Sequence, residues 1–342
     1  FLEQGKTIAL SYLKERKFND RVIEKFEIGY SVNEKDDFSK NAIEAGYKLN
    51  FLEKTGLTIA KDSSNIDRFR GRVIFPIKSM SGRILGFGGR VLGNLKNIAK
   101  YINSPESLIY QKSKVLYGIF EAKQTIVKND NCFLVEGYTD VIKMHQSGIT
   151  NVVSSSGTAL TVGQIRLINR LTKNITVVFD GDAAGSRAAL RGIDLILEQG
   201  MNVKVCNLPA NDDPDSFVTD KPLNEIESYF TENSKDFIVY KASLLFKDSD
   251  TDPVKKAGVI RDMVESISKI SDHIKREIYI KECSNIMDIS EQVLYSTLAQ
   301  IVKKDFNNQK KGSLKKYEPI SIVKTDKKKS QVDELYEWER KI

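Results

Sequence analysis

Four short apolar runs constrain this chain most: "CFLVE" (132–136), "NVVSSS" (151–156), "ITVVFD" (175–180) and "VKVCNL" (203–208). They alternate with three helical stretches, near "TDVIKMHQSG", "LTVGQIRLINRLT" and "AAGSRAALRGIDLILEQG". Alternation of strand and helix has few compact solutions, and the commonest is a parallel sheet with right-handed helical crossovers. Strands of such a sheet are covered on both faces, which is why these runs are apolar almost throughout. Two of them nevertheless end in carboxylates, Glu136 and Asp180, and the loop after the last carries "NDDPDSF". In an open parallel sheet the crevice beyond the carboxyl ends of the strands is where ligands sit, so these acids are placed to face it.

The flanks read differently. Residues 1–60 predict short helices, with "TIALSYLKER" apolar at helical spacing and "SKNAIEAGYKL" meeting a glycine turn. "RVIFPIKSMSGRILGFGGRVLG" holds two β-rich runs around Ser81-Gly82 and predicts a hairpin. From 220 to 302 there is no strand signal, and "DFIVYKASLLF", "VIRDMVESISKI" and "SEQVLYSTLAQIV" predict a helical bundle. Lys303 to Ser330 is polar, lysine-rich and tether-like, and "QVDELYEWERKI" looks helical. The fold class is therefore α/β and α+β in several subdomains: a mixed α+β basic part over 1–128, a parallel α/β sheet over 129–216, a helical bundle over 217–302 and a basic tail over 303–342.

The net charge of +7 is unevenly placed. Residues 303–330 hold ten Lys against Asp305, Glu318 and Asp326, so the remainder sums to zero. Within that remainder, Lys61 to Lys114 holds eleven Lys or Arg against three acids, a local basic region of the kind that meets nucleic acid. No apolar run approaches the roughly 18 residues of a membrane span, and Phe1 to Gly5 lacks the parts of a signal peptide, so cytoplasmic residence without membrane contact is expected. The absence of an initiator Met suggests an excised fragment. Cys132, Cys206 and Cys283 show no CxxC spacing and are expected as small core residues.

In "VVFDGDAAGSRAA", Asp180 ends a strand, Gly181 permits a tight turn, Asp182 points back to the same crevice, and Gly185 lets the next helix start close to the sheet. These two acids, facing Glu136 from another strand, make an oxygen-only constellation suited to Mg²⁺ or Mn²⁺, which Asp213 and Asp215 could complete. Packed carboxylates repel, so such a cluster expects a cation, and a hard divalent cation expects phosphate. Arg68, Arg70 and Arg72 alternate, so on an extended segment they would share one face and could neutralise phosphates. A solvated edge strand would show the same pattern, and Arg90, Lys100 and Lys112 share that ambiguity. His145 and His273 are too isolated to form a ligand set. Tyr138 is expected to pack its helix rather than stack a base. "SSGTAL" around Gly157 sits at another strand end, where backbone N–H groups could touch phosphate. The Gly86, Gly88, Gly89 cluster is not followed by an amphipathic helix and does not make a dinucleotide loop.

The Glu136 motif, the Asp180-Gly181-Asp182 motif and their α/β spacing resemble the TOPRIM domain shared by topoisomerases, primases and related nucleases. "DRFRGRVIFPI", "GRILGFGGRVLG", "KYINSPES" and "LPANDDPDSFV" extend the resemblance, over about residues 1–300, to bacterial DnaG-type replicative primases. The resemblance implies an RNA-polymerase core that makes short RNA primers on single-stranded DNA from NTPs. It places the catalytic glutamate on Glu136, metal-binding aspartates on Asp180 and Asp182, further acids on Asp140, Asp213 and Asp215, and nucleotide or template contacts on Arg68, Arg70, Arg72, Arg90, Lys100, Asn103 and Lys112. Whether Glu136 is a ligand or a general base stays open. Two or more Mg²⁺ or Mn²⁺ ions are implied, with zinc confined to an amino-terminal domain absent from this chain. The implied partners are single-stranded template, NTPs, the RNA primer/DNA hybrid, single-strand-binding protein, and the replicative helicase through a carboxyl-terminal domain expected to be missing. One departure is local: "GNLKNIAKY" is longer than the usual segment before the asparagine motif, which leaves the loop around Lys96 undefined.

Two other readings stand beside this one. A TOPRIM nuclease or topoisomerase component would use the same acids to cleave phosphodiesters, the nuclease without NTP, and a non-catalytic DNA-binding scaffold that feeds the replicative helicase would bind single strands without regard to Glu136.

Overall fold

The computed structural model of the chain describes residues 3–61, 64–93, 98–181, 187–246 and 253–314. Phe1–Leu298 form one compact unit and Ala299–Ile342 a second. The first unit begins with helices α1 (Glu3–Glu15) and α2 (Asp20–Lys25), strand β1 (Gly29–Ser31), then α3 (Asp37–Glu44) and α4 (Leu49–Lys54). A two-stranded ribbon follows, β2 (Thr58–Lys61) against β3 (Ser64–Asp67). β1 and β2 correct the purely helical reading of residues 1–60. Gly29-Tyr30-Ser31 carries no alternation of its own and is a strand because it pairs with a distant one.

That partner is β4 (Arg72–Lys78), which forms the expected antiparallel hairpin with β5 (Ile84–Val91) around Ser81-Gly82. β6 (Tyr101–Asn103) adds to the other side of β5, giving a sheet ordered β1-β4-β5-β6. The glycine-rich part of β5 is strand, as expected of a cluster that is no dinucleotide loop. The segment around Lys96 lies outside the described residues.

After α5 (Ile119–Asn129) come the alternating elements: β7 (Cys132–Val135), α6 (Tyr138–Gln146), β8 (Val152–Ser154), α7 (Val162–Asn169), β9 (Asn174–Phe179), α8 (Arg187–Glu198) and β10 (Asn202–Asn207). β7 pairs in parallel with β8 and with β9, and β9 in parallel with β10. The chain steps outward from β7 to β8, then returns past β7 to β9, so the order reverses between β7 and β9. Such a reversal opens a crevice at the carboxyl ends of the two strands beside it.

α9 (Pro214–Val218) and α10 (Leu223–Asn233) follow, then β11 (Ser234–Asp236), which pairs antiparallel with β10. This strand corrects the reading of 220–302 as all helix. Ser-Lys-Asp has no strand pattern, and the free edge of β10 supplies its partner. Helices α11 (Phe237–Phe246), α12 (Pro253–Ser268) and α13 (His273–Met287) form the expected bundle, and α14 (Glu291–Leu314) covers the first twelve residues of the lysine-rich stretch. "QVDELYEWERKI" lies outside them.

One buried core runs through the first unit, from Leu13 of α1 and Phe26 beside α2, through Val73, Phe75 and Ile77 of β4, to Tyr138 and Val141 of α6, Val178 of β9 and Phe230 of α10. Cys132, Cys206 and Cys283 are buried and unpaired within the protein. The ring of His145 meets Phe26 edge-on at 5.2 Å, and burial pushes its pKa down to about 4. His273 is exposed at the start of α13. Neither histidine has the surroundings of a ligand pair.

Candidate active site

Glu136 and Asp180 follow immediately on β7 and β9, the neighbouring strands on either side of the order reversal. Glu136 is exposed and Asp180 half-buried. The next residue, Gly181, donates its N–H to the Asp212 carbonyl at 3.0 Å, and a Cβ built on it would lie 2.2 Å from the Pro209 carbonyl oxygen. Glycine is needed there for close approach: the 209–212 loop is drawn against the acid turn, which brings Asp213 to the same end of the sheet. Asp182 and Gly185 lie outside the described residues.

Asp213 caps α9, its carboxylate accepting from the Ser216 N–H at 2.7 Å. Asp140, in the first turn of α6, is 8 % exposed and accepts from the Gly137 N–H at 2.8 Å. Burial pushes its carboxyl up to about 7, against the pull of the Gly137 N–H, and the charges of Asp213, Asp180 and Asp215 add to the rise. That mutual repulsion marks one acidic region of four carboxyl groups fed by three segments. Asp215 is buried and ion-paired with Arg16 of the α1–α2 link, yet burial still raises its pKa. Oxygen donors alone, crowded enough to disfavour ionisation, are the right chemistry for a hard divalent cation. Among the described residues no three such side chains converge closely enough to hold an ion on their own.

The basic residues divide. The alternation of Arg68, Arg70 and Arg72 predicts one extended face, but residues 68–71 form a turn with Gly71 at φ +67°. Arg68 donates Nε–H to the Gly56 carbonyl at 2.6 Å, and Arg70 is exposed. Arg72, 7 % exposed, donates from Nη1 to the carbonyls of Ala99 at 3.0 Å, Lys100 at 3.3 Å and Gly89 at 3.4 Å. It ties β4 and β5 to the segment entering β6, and burial lowers its pKa. Arg90 lies over the rings of Tyr12 at 4.8 Å and Tyr101 at 5.5 Å, with its Nη1 buried and without a hydrogen-bond partner. Lys100 is exposed. Lys112 is half-buried in a 3-10 turn whose carbonyls at Lys112 and Val115 accept from Gln164 of α7 at 3.1 and 3.0 Å.

Tyr138 is a packing residue, as expected: 2 % exposed, it stacks on Phe75 at 5.2 Å and meets Tyr117 edge-on at 4.7 Å. The Gly157 N–H, a candidate phosphate donor, goes to the Glu136 carbonyl at 3.1 Å. Three contributors escape the sequence: Arg16 on Asp215, Tyr101 beside Arg90, and buried Lys143 of α6, which donates to the Arg16 carbonyl at 2.7 Å and the Lys17 carbonyl at 3.2 Å. Nothing in their local sequence marks them, because their partners are up to 199 residues away.

A parallel sheet with acids flanking its order reversal, joined to a basic antiparallel sheet, defines a Toprim-type fold. Family models agree: residues 133–218 match one described as Toprim-like, and residues 1–123 one described as the DNA primase catalytic core, N-terminal domain. The chain is 36 % identical over 307 residues to a DNA primase from Clostridium acetobutylicum, covering 89 % of this chain and 50 % of that protein. It superimposes on a DNA primase domain from Pseudomonas aeruginosa with TM-score 0.77 and 32 % identity, covering 85 % of this chain and 92 % of that one. The catalytic domain of a DnaG primase bound to single-stranded DNA gives TM-score 0.71 and 32 % identity over 81 % and 90 % of the two chains. The chain belongs to the bacterial DnaG-type primase family, and it spans about half the length of the curated relatives it matches.

A third family model, described as the DnaB-helicase binding domain of primase, matches residues 240–292, from α11 to the start of α14. This corrects the expectation that every helicase-binding segment lies outside the chain. No helix among the described residues is long and apolar enough to cross a membrane.

Proposed function

We infer that this chain is the RNA-polymerase core of a primase, joining NTPs into short RNA on a single-stranded DNA template at cytoplasmic replication forks. The observation that carries the reading is the placement of Glu136 and Asp180 at the ends of adjacent parallel strands, beside a hairpin offering Arg70 and the buried, unpartnered Nη1 of Arg90. In this reading Glu136, Asp180, Asp182 and Asp213 supply carboxylate oxygens, with Asp140 and Asp215 behind them. Bound there, two or more Mg²⁺ or Mn²⁺ ions would neutralise the triphosphate and polarise the attacking and leaving oxygens of an in-line displacement.

The chain's own residues do the positioning. Arg90, held between two tyrosine rings, presents a preset donor fork to phosphate, a geometry that loses little freedom on binding. Arg68, Arg70, Lys100 and Lys112 track the template and triphosphate as diffuse positive charge. Arg72 is committed to backbone carbonyls and shapes the hairpin that carries the others.

The division of labour follows the segments 1–128 for template and nucleotide, 129–216 for the acids, 217–302 for the bundle and 303–342 for a basic tail. The match over 240–292 supports a contact between the bundle and a replicative helicase. Single-strand-binding protein is a further partner in this reading.

The test is incorporation of labelled NTPs on single-stranded DNA with Mg²⁺ or Mn²⁺, comparing the chain with Asp182→Ala. Synthesis that disappears in the variant supports the reading. Full synthesis by Asp182→Ala, or DNA cleavage without NTP, overturns it.

A further inference from the structure

Asn103 falls in the motif that implies nucleotide or template contact, yet both ends of its carboxamide are engaged inside the protein. Its Oδ1 accepts from the Tyr138 hydroxyl at 2.7 Å, and its Nδ2 donates to the Ser156 carbonyl at 3.2 Å. The two partners lie on the two segments that hold Glu136. Tyr138 opens α6, two residues beyond Glu136. Ser156, at φ +60°, precedes Gly157, at φ +71°, and the Gly157 N–H reaches the Glu136 carbonyl at 3.1 Å. One side chain from β6 therefore closes a ring around Glu136: through covalent bonds on one side, and through the loop after β8 on the other.

The ring is stiff because Tyr138 has nowhere else to point. Its aromatic ring is clamped by Phe75 and Tyr117, and it fills the space above Gly88, where a Cβ would lie 2.4 Å from Cζ. Ser156 pays for its left-handed backbone only if something holds it there, and the Asn103 amide is one such tie. Side chains locked by packing and hydrogen bonds are what keep a reacting group within a fraction of an ångström of its working position.

We propose that Asn103 is a positioning residue: with the Tyr138 hydroxyl and the Ser156 carbonyl it sets where the Glu136 carboxylate stands relative to the hairpin. It acts through Glu136 and not by touching nucleotide. The inference rests on the reading of Glu136 as a site acid.

The test is steady-state extension of a preformed RNA primer on DNA by the chain, with kcat, KM for NTP and Kd for single-stranded DNA measured for Tyr138→Phe, Asn103→Ala, their double variant and Glu136→Gln. Small misplacements of a catalytic group are costly, so each single variant is expected to lower kcat by about tenfold with KM and Kd unchanged, and the double variant to be no worse than the weaker single. A raised KM or Kd in Asn103→Ala, with Tyr138→Phe like wild type, would mean direct ligand contact and overturn the proposal. So would wild-type kcat in both. Tyr138→Phe removes one oxygen and keeps the packed ring, so it decides the matter alone should Asn103→Ala fail to fold. An inactive Glu136→Gln beside an unimpaired Tyr138→Phe sinks the positioning role only. An active Glu136→Gln sinks the reading of the site beneath it.

Discussion

Glu136 and Asp180 stand at the ends of neighbouring parallel strands, whereas Arg70, Arg72 and Arg90 lie on and beside an antiparallel hairpin. On the parallel sheet, position along the chain sets the placement, because Glu136 and Asp180 are each the first residue after a strand that borders the order reversal, where the crevice opens. On the hairpin it does not. Only Gly71 separates Arg70 from Arg72, yet the first is exposed and the second is buried against three carbonyls. The acids are assigned by topology and the arginines by contacts, so substitutions should separate the two regions by what they damage.

The largest effect belongs to the acid end. Glu136→Gln keeps shape and exposure, and it should lower primer synthesis by about a thousandfold while leaving the melting temperature unchanged, the expectation for an electrostatic group in a phosphoryl-transfer site. A large loss of stability would instead make Glu136 a structural residue.

On the hairpin the sign reverses. Arg72→Met removes the donor to three carbonyls and should destabilise by about 3 kcal/mol in urea unfolding, the scale for stranding buried polar groups. Stability within 0.5 kcal/mol of wild type, a margin of roughly one exposed substitution, would mean that Arg72 is free to serve ligand after all.

Asp140 tests the acid end through pH. Its folded pKa of about 7 exceeds the carboxylate value in an unfolded chain, so the folded state holds the extra proton between about pH 4 and 7 and stability falls as pH rises through that window. Without added metal, Asp140→Asn should stabilise on the order of 2 kcal/mol at pH 7.5, and the gain should vanish near pH 4. A gain independent of pH would show that charge repulsion is not its cause.

Smallest is Arg70→Ala: stability unchanged, and DNA affinity reduced with a salt-dependence slope shallower by about one, as for the loss of one phosphate contact. An unaltered slope in binding titrations from low to high salt would remove Arg70 from the template face.

The acid end was legible in the sequence because the strands of a parallel sheet, covered on both faces, read as unbroken apolar runs, and an acid closing such a run stands out. β1 and β11 were not legible. Gly29-Tyr30-Ser31 and Ser234-Lys235-Asp236 become strands only because β4 and β10 offer them edges. The three alternating arginines misled for a related reason: the period-2 argument needs an extended backbone, and Gly71 turns the chain instead. Asn103 could be found by motif but not understood by it, since its two partners lie 35 and 53 residues away.

By itself the sequence determined the alternating strands and helices of the parallel sheet, the acids at the strand ends and the basic character of the hairpin region, because these follow from local periodicity and charge. Only the tertiary structure decided that Arg72 donates to three backbone carbonyls, that Arg90 lies over two tyrosine rings, that Arg16 pairs with Asp215, and that the Asn103 amide joins Tyr138 to Ser156. Those placements depend on which groups meet far along the chain, and burial favours pairing the polar ones.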